Sequence, residues 1–330
     1  MLVLILSFLG IAALFEGANP LAAEVPPNQP TFQLEVTDVQ VEVQVLDGRR
    51  QISGLTKQDF TILDEGKSQP IAYLGHESVP LDLLLLLDVS GSVQKYLRDI
   101  AAISRSALRE LGPDDQVAVM VFSRDTWIEQ SFTTEQEAIA DAIDKASHEP
   151  PVGSGTRIYA AIQAAARYLA DETSASLRRR AILVVTDNDG MSYGIHRDAV
   201  MRSLLDANAV LDAIAVGRHP HPPVPRAGAV VNPDFAFDDV FPLADTTGGE
   251  AVAASKPQDR LTEMLTHLRN SYSLVYRMPP DVAPGSYRRI RVELSDEARR
   301  KFPRATITAR DGYYVSRGEQ KKNNEHQSPQ

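Results

Sequence analysis

The chain has 330 residues, of which 43% are hydrophobic and 24% charged, a composition that excludes wholesale disorder. Its formal net charge is −10 and it has no long basic cluster, which argues against binding to nucleic acid or to an anionic membrane surface. The chain has no cysteine, which excludes disulfides, thiol catalysis and cysteine-ligated zinc.

The amino terminus has the pattern of an export signal. Residues 2–15 are apolar apart from Ser7 and Gly10, which is typical of a signal h-region and short for a membrane span. A Leu-Ala-Ala sequence at 21–23 offers a cleavage site, so we predict a signal peptide over 1–23 and a periplasmic or secreted protein. Because no Lys or Arg precedes the apolar run, an uncleaved amino-terminal anchor is the alternative.

Alternating apolar and polar residues follow, which predicts antiparallel strands with one buried face. One set runs over 32–36 and a second over 39–45, and the change of phase at Thr37-Asp38 predicts a bulge or tight bend. Asp47-Gly48 is typical of a hairpin turn. Two further strands are predicted at 60–63 and 71–74, joined by a turn at 64–67.

From Leu81 onward, continuous apolar runs alternate with helical periodicity. The runs predict strands buried on both faces, and the 3–4 spacing between them predicts helices over 93–111, 158–169 and 261–268. We therefore predict an α/β fold with a doubly wound, mostly parallel, Rossmann-like sheet. Its strands are predicted at 81–87, 117–122, 181–186 and 210–216.

Two segments of this region lack a regular pattern. The basic run Arg178-Arg179-Arg180 is interpreted as a solvated helix end, where cations favour the helix dipole. Residues 217–241 are rich in Pro and Ala and contain His219 and His221. We interpret them as an irregular surface loop, since a His-x-His metal site needs further ligands.

Strand patterns return after residue 271, at 272–276, 290–294, 305–309 and 313–315. The strands on each side of the α/β region are too few to bury both faces alone, so we predict that they combine into one β-sandwich with the α/β domain inserted. The alternative is that each flank adds strands to the α/β domain separately. The predicted boundaries are 30–79 and 272–316 for the sandwich, 80–271 for the inserted domain and 317–330 for a disordered polar tail.

Oxygen-bearing side chains recur at the predicted strand ends. Asp88, Ser90 and Ser92 follow the first buried strand, Thr156 precedes a helical pattern, and Asp187 ends the third buried strand. Ligands of open α/β sheets bind at this edge, and Mg²⁺ prefers oxygen ligands, so the pattern predicts a divalent-cation site. Each hydroxyl could instead cap a helix, but capping does not explain five oxygen side chains at one sheet edge.

This ordered set resembles the metal-ion-dependent adhesion site of von Willebrand factor type A domains. The resemblance implies that Ser90 and Ser92 bind the metal directly, that Thr156 binds directly or through water, and that Asp88 and Asp187 hold metal-bound waters or coordinate weakly. Further stretches are similar to the exported bacterial "VWFA-related" family over nearly the whole mature chain, among them 54–60, 64–67, 247–249, 272–276 and 310–313.

One residue departs from that family's pattern. Asn188 stands where the family usually has Gly after the last Asp, although Asn tolerates left-handed backbone geometry. Asp189 lies close enough in sequence to compete with Asp187 as the ligand.

The resemblance implies an exported binding module rather than an enzyme. It would grip a protein, or a glycan, through Mg²⁺ (with Mn²⁺ or Ca²⁺ as alternatives), and an Asp or Glu of the partner would complete the metal shell. One alternative is a scaffold with a degenerate, metal-free site, for which Asn188 is the sequence support. A hydrolase is less favoured because the chain has no G-x-S-x-G motif, because His148 and His196 are interpreted as loop residues, and because His267 has no evident acid partner.

Overall fold

The computed structural model describes residues 37–148, 155–173, 177–217, 221–222 and 237–316. The predicted signal peptide, the strand pattern at 32–36, the predicted tail and most of the 217–241 loop lie outside these residues. In the described ranges, no helix is both long enough and apolar enough to cross a membrane.

The first flank forms five strands. Gly48 has a φ of 66°, and the predicted turn after Asp47 connects the first two strands as a hairpin. The turn at 64–67 also forms, but it leads to a short strand that the sequence analysis missed, so the prediction that it joins 60–63 directly to 71–74 is wrong. The strands are β1 (Asp38–Asp47), β2 (Arg50–Gln51), β3 (Phe60–Asp64), β4 (Lys67–Gln69) and β5 (Ile71–Gly75).

The middle of the chain alternates strands and helices. Its strands are β6 (Leu81–Asp88), β7 (Gln116–Phe122), β8 (Thr126–Thr133), β9 (Arg179–Thr186), β10 (Ala209–Val216) and β11 (Ala251–Ala254). Its helices are α1 (Gln94–Ala107), α2 (Gln136–His148), α3 (Ile158–Glu172), α4 (Arg197–Asp206), α5 (Phe241–Thr247) and α6 (Gln258–Arg269).

These strands form a six-stranded sheet in the order β11-β10-β9-β6-β7-β8. All neighbours are parallel except β8, which pairs antiparallel with β7 at one edge. Apolar residues of α1, α2 and α6 cover one face of the sheet, and those of α3, α4 and α5 cover the other. Strands buried on both faces explain the continuous apolar runs of the sequence.

The second flank returns the chain to the strands of the first. β1 pairs with β12 (Tyr272–Arg277) and β14 (Ala305–Ala309), and β3 pairs with β13 (Tyr287–Leu294). A last strand, β15 (Gly312–Tyr314), pairs with β13. The two resulting sheets have the orders β14-β1-β12-β5 and β15-β13-β3-β4, and both contribute to one apolar core. The predicted fold class, a doubly wound α/β domain plus a flanking sandwich, is confirmed. Helix α7 (Asp296–Lys301) lies between β13 and β14, and short 3-10 helices cover Lys57–Asp59 and Leu108–Glu110.

β1 is more buried than its alternation predicts. Its valines face the sandwich core, but Gln40, Glu42 and Gln44 on the other face are buried too. Gln40 Nε2 donates to the backbone oxygen of Arg178, 3.0 Å away, so the α/β domain covers this face. The expectation of a half-exposed strand is therefore wrong because the sandwich sheet is itself covered.

The basic run at 178–180 is not a solvated helix end. Arg178 and Arg180 are partly buried, and Arg179 starts β9 and is 2% exposed. Arg179 Nη2 donates to Val79 O at 2.7 Å, and Nη1 donates to Ser271 O at 3.2 Å and to two carbonyls at the end of α6. We call residues 79–81 and 268–272 the neck, because the chain enters and leaves the α/β domain there. A single guanidinium therefore ties both strands of the neck together.

Candidate metal centre at the sheet edge

The sheet reverses its winding direction at β6. From β6 the chain moves outward through β7 and β8, and it then crosses to β9 on the other side of β6. Such a switch point opens a crevice at the carboxyl ends of the two central strands, where ligands of doubly wound sheets bind. Asp88 ends β6 and Asp187 directly follows β9, so the two acids flank this crevice.

Asp88 is a fully buried carboxylate. One oxygen accepts a hydrogen bond from Ser90 N at 2.9 Å, and the other accepts one from Thr186 Oγ1 at 2.7 Å. Burial raises the pKa of Asp88 to about 7, and the nearby charge of Asp187 raises it further, against the opposing hydrogen bonds. A cation in the crevice would offset this cost of burying a negative charge.

The hydroxyls of Ser90 and Ser92 lie side by side, with 3.2 Å between the two Oγ atoms. Neighbouring ligands of an octahedral Mg²⁺, each about 2.1 Å from the ion, lie roughly 3 Å apart, so the spacing fits two ligands of one cation. Neither hydroxyl caps α1, whose N-cap residue Val93 has no side-chain cap hydrogen bond. The capping interpretation of this pair therefore finds no support in the structure.

Thr156 lies between two neighbouring loops. Arg157 N donates to Ser123 O, after β7, and Met191 N donates to Thr156 O, after β9, both at 3.0 Å. These bonds hold Thr156 at the same sheet edge as the two acids. The N-cap of α3 is Arg157, which makes no side-chain cap bond, so Thr156 does not cap that helix. The glycine and serine at 153 and 154 lie outside the described residues.

Two adjoining cavities connect these residues. Ser92 and Asp187 line one of about 610 Å³, and Thr156 lines another of about 330 Å³. Asp189 lines both cavities, and its backbone N donates a hydrogen bond to Asp187 Oδ1 at 3.2 Å. The structure thus brings Asp88, Ser90, Ser92 and Asp187 together and places Thr156 beside the same loop.

Asn188 keeps the turn intact. Its φ is 58°, which is the left-handed geometry expected for the glycine it replaces. Asn188 is 1% exposed. Its Nδ2 donates a hydrogen bond to Asp239 Oδ1 and its Oδ1 accepts one from Val240 N, both at 3.1 Å. Asn188 therefore anchors the Asp187 loop to the start of α5.

A second buried acid, missed by the sequence analysis, supports the loop from behind. Asp238 accepts hydrogen bonds from Ser192 Oγ at 2.7 Å and from Tyr159 N at 3.1 Å, at the amino terminus of α3. Burial raises the pKa of Asp238. Asp238 lies in the aperiodic 217–241 stretch, which carries no local sequence pattern that would indicate its role.

The prediction that His267 has no acid partner is wrong. Its Nδ1 lies 3.1 Å from Glu250 Oε2 and its Nε2 lies 3.0 Å from Arg49 O. The ring is 3% exposed, and the hydrogen bond to Glu250 raises its pKa against the effect of burial. These partners lie at the sandwich end of the α/β domain, opposite Ser90, so the pair does not form a catalytic site with it.

The donor set fits a hard cation. No group of three or more His, Asp or Glu side chains able to hold a metal occurs in the residues that the structure describes. The crevice instead combines two carboxylates with hydroxyls, a pure oxygen set that suits Mg²⁺, Mn²⁺ or Ca²⁺ better than Zn²⁺.

A sequence profile for the von Willebrand factor type A domain matches residues 83–190, from β6 to the loop after β9. The chain contains a von Willebrand factor type A domain. The match includes all five predicted metal-site residues, and the doubly wound sheet agrees with it. The narrower likeness to the "VWFA-related" family stays a prediction.

Several solved structures resemble this chain at low sequence identity. They include an aerotolerance-related membrane protein from Bacteroides fragilis (19% identity, 57% of this chain and 98% of that chain, TM-score 0.43). BatB from Bacteroides thetaiotaomicron matches with 17% identity over 57% of this chain and 98% of its own, at a TM-score of 0.40. A type A protein from Catenulispora acidiphila matches with 11% identity over 81% and 76%, at 0.44. No curated protein matches the chain in sequence.

Proposed function

We propose that this protein is a binding module that grips a protein partner through a divalent cation at the carboxyl edge of its type A sheet. The observation that carries the proposal is the pair of hydroxyls on Ser90 and Ser92, 3.2 Å apart at the switch point beside Asp88. The bound cation is Mg²⁺, with Mn²⁺ or Ca²⁺ as substitutes.

The ligand set explains how the cation would attract a partner. Ser90, Ser92 and Thr156 are neutral, and Asp88 has both oxygens engaged in hydrogen bonds. Few direct negative charges leave the cation with net positive charge, so an Asp or Glu of the partner is its natural remaining ligand. A glycan partner would lack such a carboxylate unless it were acidic.

A binding function is favoured over catalysis by the surroundings of Ser90. Its hydrogen bonds go to Asp88 and Ser92, and His267, which pairs with Glu250, lies at the other end of the domain. We also propose that the protein is exported, a view that rests on the apolar segment at 2–15.

The test is metal-dependent stability. Excess Mg²⁺, at about a hundred times its Kd, stabilises the folded protein by about 2.7 kcal/mol, which raises the melting temperature by roughly 5 °C. Ser92→Ala removes one ligand and should abolish this rise, whereas Ser106→Ala, an exposed serine of α1, should keep it. Differential scanning calorimetry with Mg²⁺ and with chelator measures both variants. An unchanged Mg²⁺ response in Ser92→Ala would reject this site, and no response in the wild-type protein would favour the metal-free scaffold.

A further inference from the structure

Beside the proposed metal centre lies a pocket with an unusual charge. Two arginines, Arg124 after β7 and Arg157 before α3, line the cavity of about 330 Å³ that also contains Thr156. The chain as a whole carries a formal charge of −10, so two neighbouring arginines at the ligand-binding edge of the sheet are unexpected. We call this cavity the arginine pocket.

The positive charges of the two arginines are not neutralised by ion pairs among the described residues. In the described part of the chain neither Arg124 nor Arg157 forms an ion pair, and the buried Nε of Arg157 has no hydrogen-bond partner. Among the described residues that line the pocket, Asp189 supplies one carboxylate against the two guanidinium groups. Arg157 is partly buried and Arg124 is exposed. An unpaired guanidinium favours a carboxylate ligand because the two can form charge-assisted, bidentate hydrogen bonds.

The rest of the wall is apolar. Met191 and Phe237 are 39% and 38% exposed, and an antiparallel bridge holds their backbones side by side. Large exposed apolar side chains next to unpaired cations are typical of interaction sites. The wall would cover the methylene groups of an acidic side chain while the arginines bind its carboxylate.

We propose that the arginine pocket binds a second acidic side chain of the partner, next to the one that completes the metal shell. The partner is therefore a protein segment with two nearby Asp or Glu residues, one on the cation and one between Arg124 and Arg157. The inference rests on the proposed function, since Thr156 lies both in the pocket and in the proposed ligand set.

The test uses short random peptides displayed on phage and selected on the full chain in Mg²⁺. Peptides with two nearby acids should be enriched, and chelator should release them. Two synthetic versions of each selected peptide are then compared by fluorescence anisotropy. The two-acid version keeps both acids, and the one-acid version has one of them replaced by its amide. Arg124→Glu should weaken the two-acid peptides by about tenfold or more and change the one-acid peptides little.

Arg109→Glu is the matched control, because Arg109 is exposed and lies after α1, at the opposite end of the domain. It should change neither affinity. If one acid suffices for enrichment, or if Arg124→Glu weakens both peptide classes equally, the second subsite is rejected while the metal-dependent function stands. If no peptide binds in a Mg²⁺-dependent manner, the proposed function and the subsite fail together.

Discussion

Arg179 shows how much one buried side chain can determine. Its guanidinium donates to carbonyls on both strands of the neck, and Glu42 of β1 lies close enough to raise its pKa, although burial lowers that pKa to about 10. Replacing the cation would leave several buried carbonyls without their donor and would remove the positive charge that lowers the cost of burying Glu42.

We therefore expect Arg179→Met to destabilise the protein by about 3–5 kcal/mol. Arg98→Met, at an exposed position on α1, should stay within about 0.5 kcal/mol of wild type. Urea unfolding measures both. A loss below about 1 kcal/mol for Arg179→Met would mean that packing alone holds the neck together.

Buried charged residues such as Arg179 are the part of this protein that could not be predicted from the sequence. The five candidate ligands could be named from the sequence because each stands at the end of an apolar run or at the start of a helical one. Arg179 and Asp238 stand in segments without such a pattern, and their partners are remote in sequence. A buried charge leaves no periodic signal, so its role appears only in three dimensions.

At the scale of elements, α5 ends against the sandwich. Gly248 caps this helix with a φ of 80°, and Asp311 N donates to Thr246 O at 3.0 Å. A Cβ on Gly248 would lie well inside van der Waals contact with the backbone of Ala309 and Arg310. The glycine thus allows both the left-handed turn and the close approach of the two domains.

Two glycine variants separate these effects. Gly54 has a similar φ of 76°, but a Cβ there meets nothing within 4 Å. Gly54→Ala should therefore cost only the backbone strain, about 1–2 kcal/mol, whereas Gly248→Ala adds a steric clash and should cost about 3 kcal/mol or more. Chemical denaturation compares them directly. Equal losses would show that the α5 contact can shift without cost.

The helices and strands differ in how strongly their sequence patterns predict them. The central strands and α1, α3 and α6 have strong apolar patterns and were predicted. β8 was missed because it is an edge strand whose residues are mostly half-buried, so it lacks the apolar run of its neighbours. α4, with three buried residues in ten positions, has too short an apolar stripe to predict a helix.

At the scale of the whole molecule, the two domains share a buried polar boundary. Arg310 Nη2 donates to Gln40 O within the sandwich at 2.6 Å, and its Nη1 donates to Asn208 Oδ1 of the α/β domain at 2.7 Å. Together with the neck, such contacts make the stability of one domain depend on the other.

We expect the domains to unfold in one transition. Trp127, the single tryptophan, lies in β8 and reports on the α/β domain alone, whereas far-UV circular dichroism reports on both domains. The two signals should give the same urea midpoint. Repeating the measurement over a range of protein concentrations excludes self-association as the cause. Separate midpoints would show that the boundary does not couple the domains.

The pairing of β1 with β12 also sets an order of events during synthesis. Val43 pairs with Tyr272, which follows it only after the entire α/β domain. At about 5–20 residues per second, a ribosome needs roughly 10–45 s to make the intervening chain. The first half of the sandwich therefore leaves the ribosome with most of β1 unpaired, since β2 pairs only with the end of that strand, while the inserted domain can already fold. The nascent chain is in that interval a natural client for a chaperone that shields exposed β-strands.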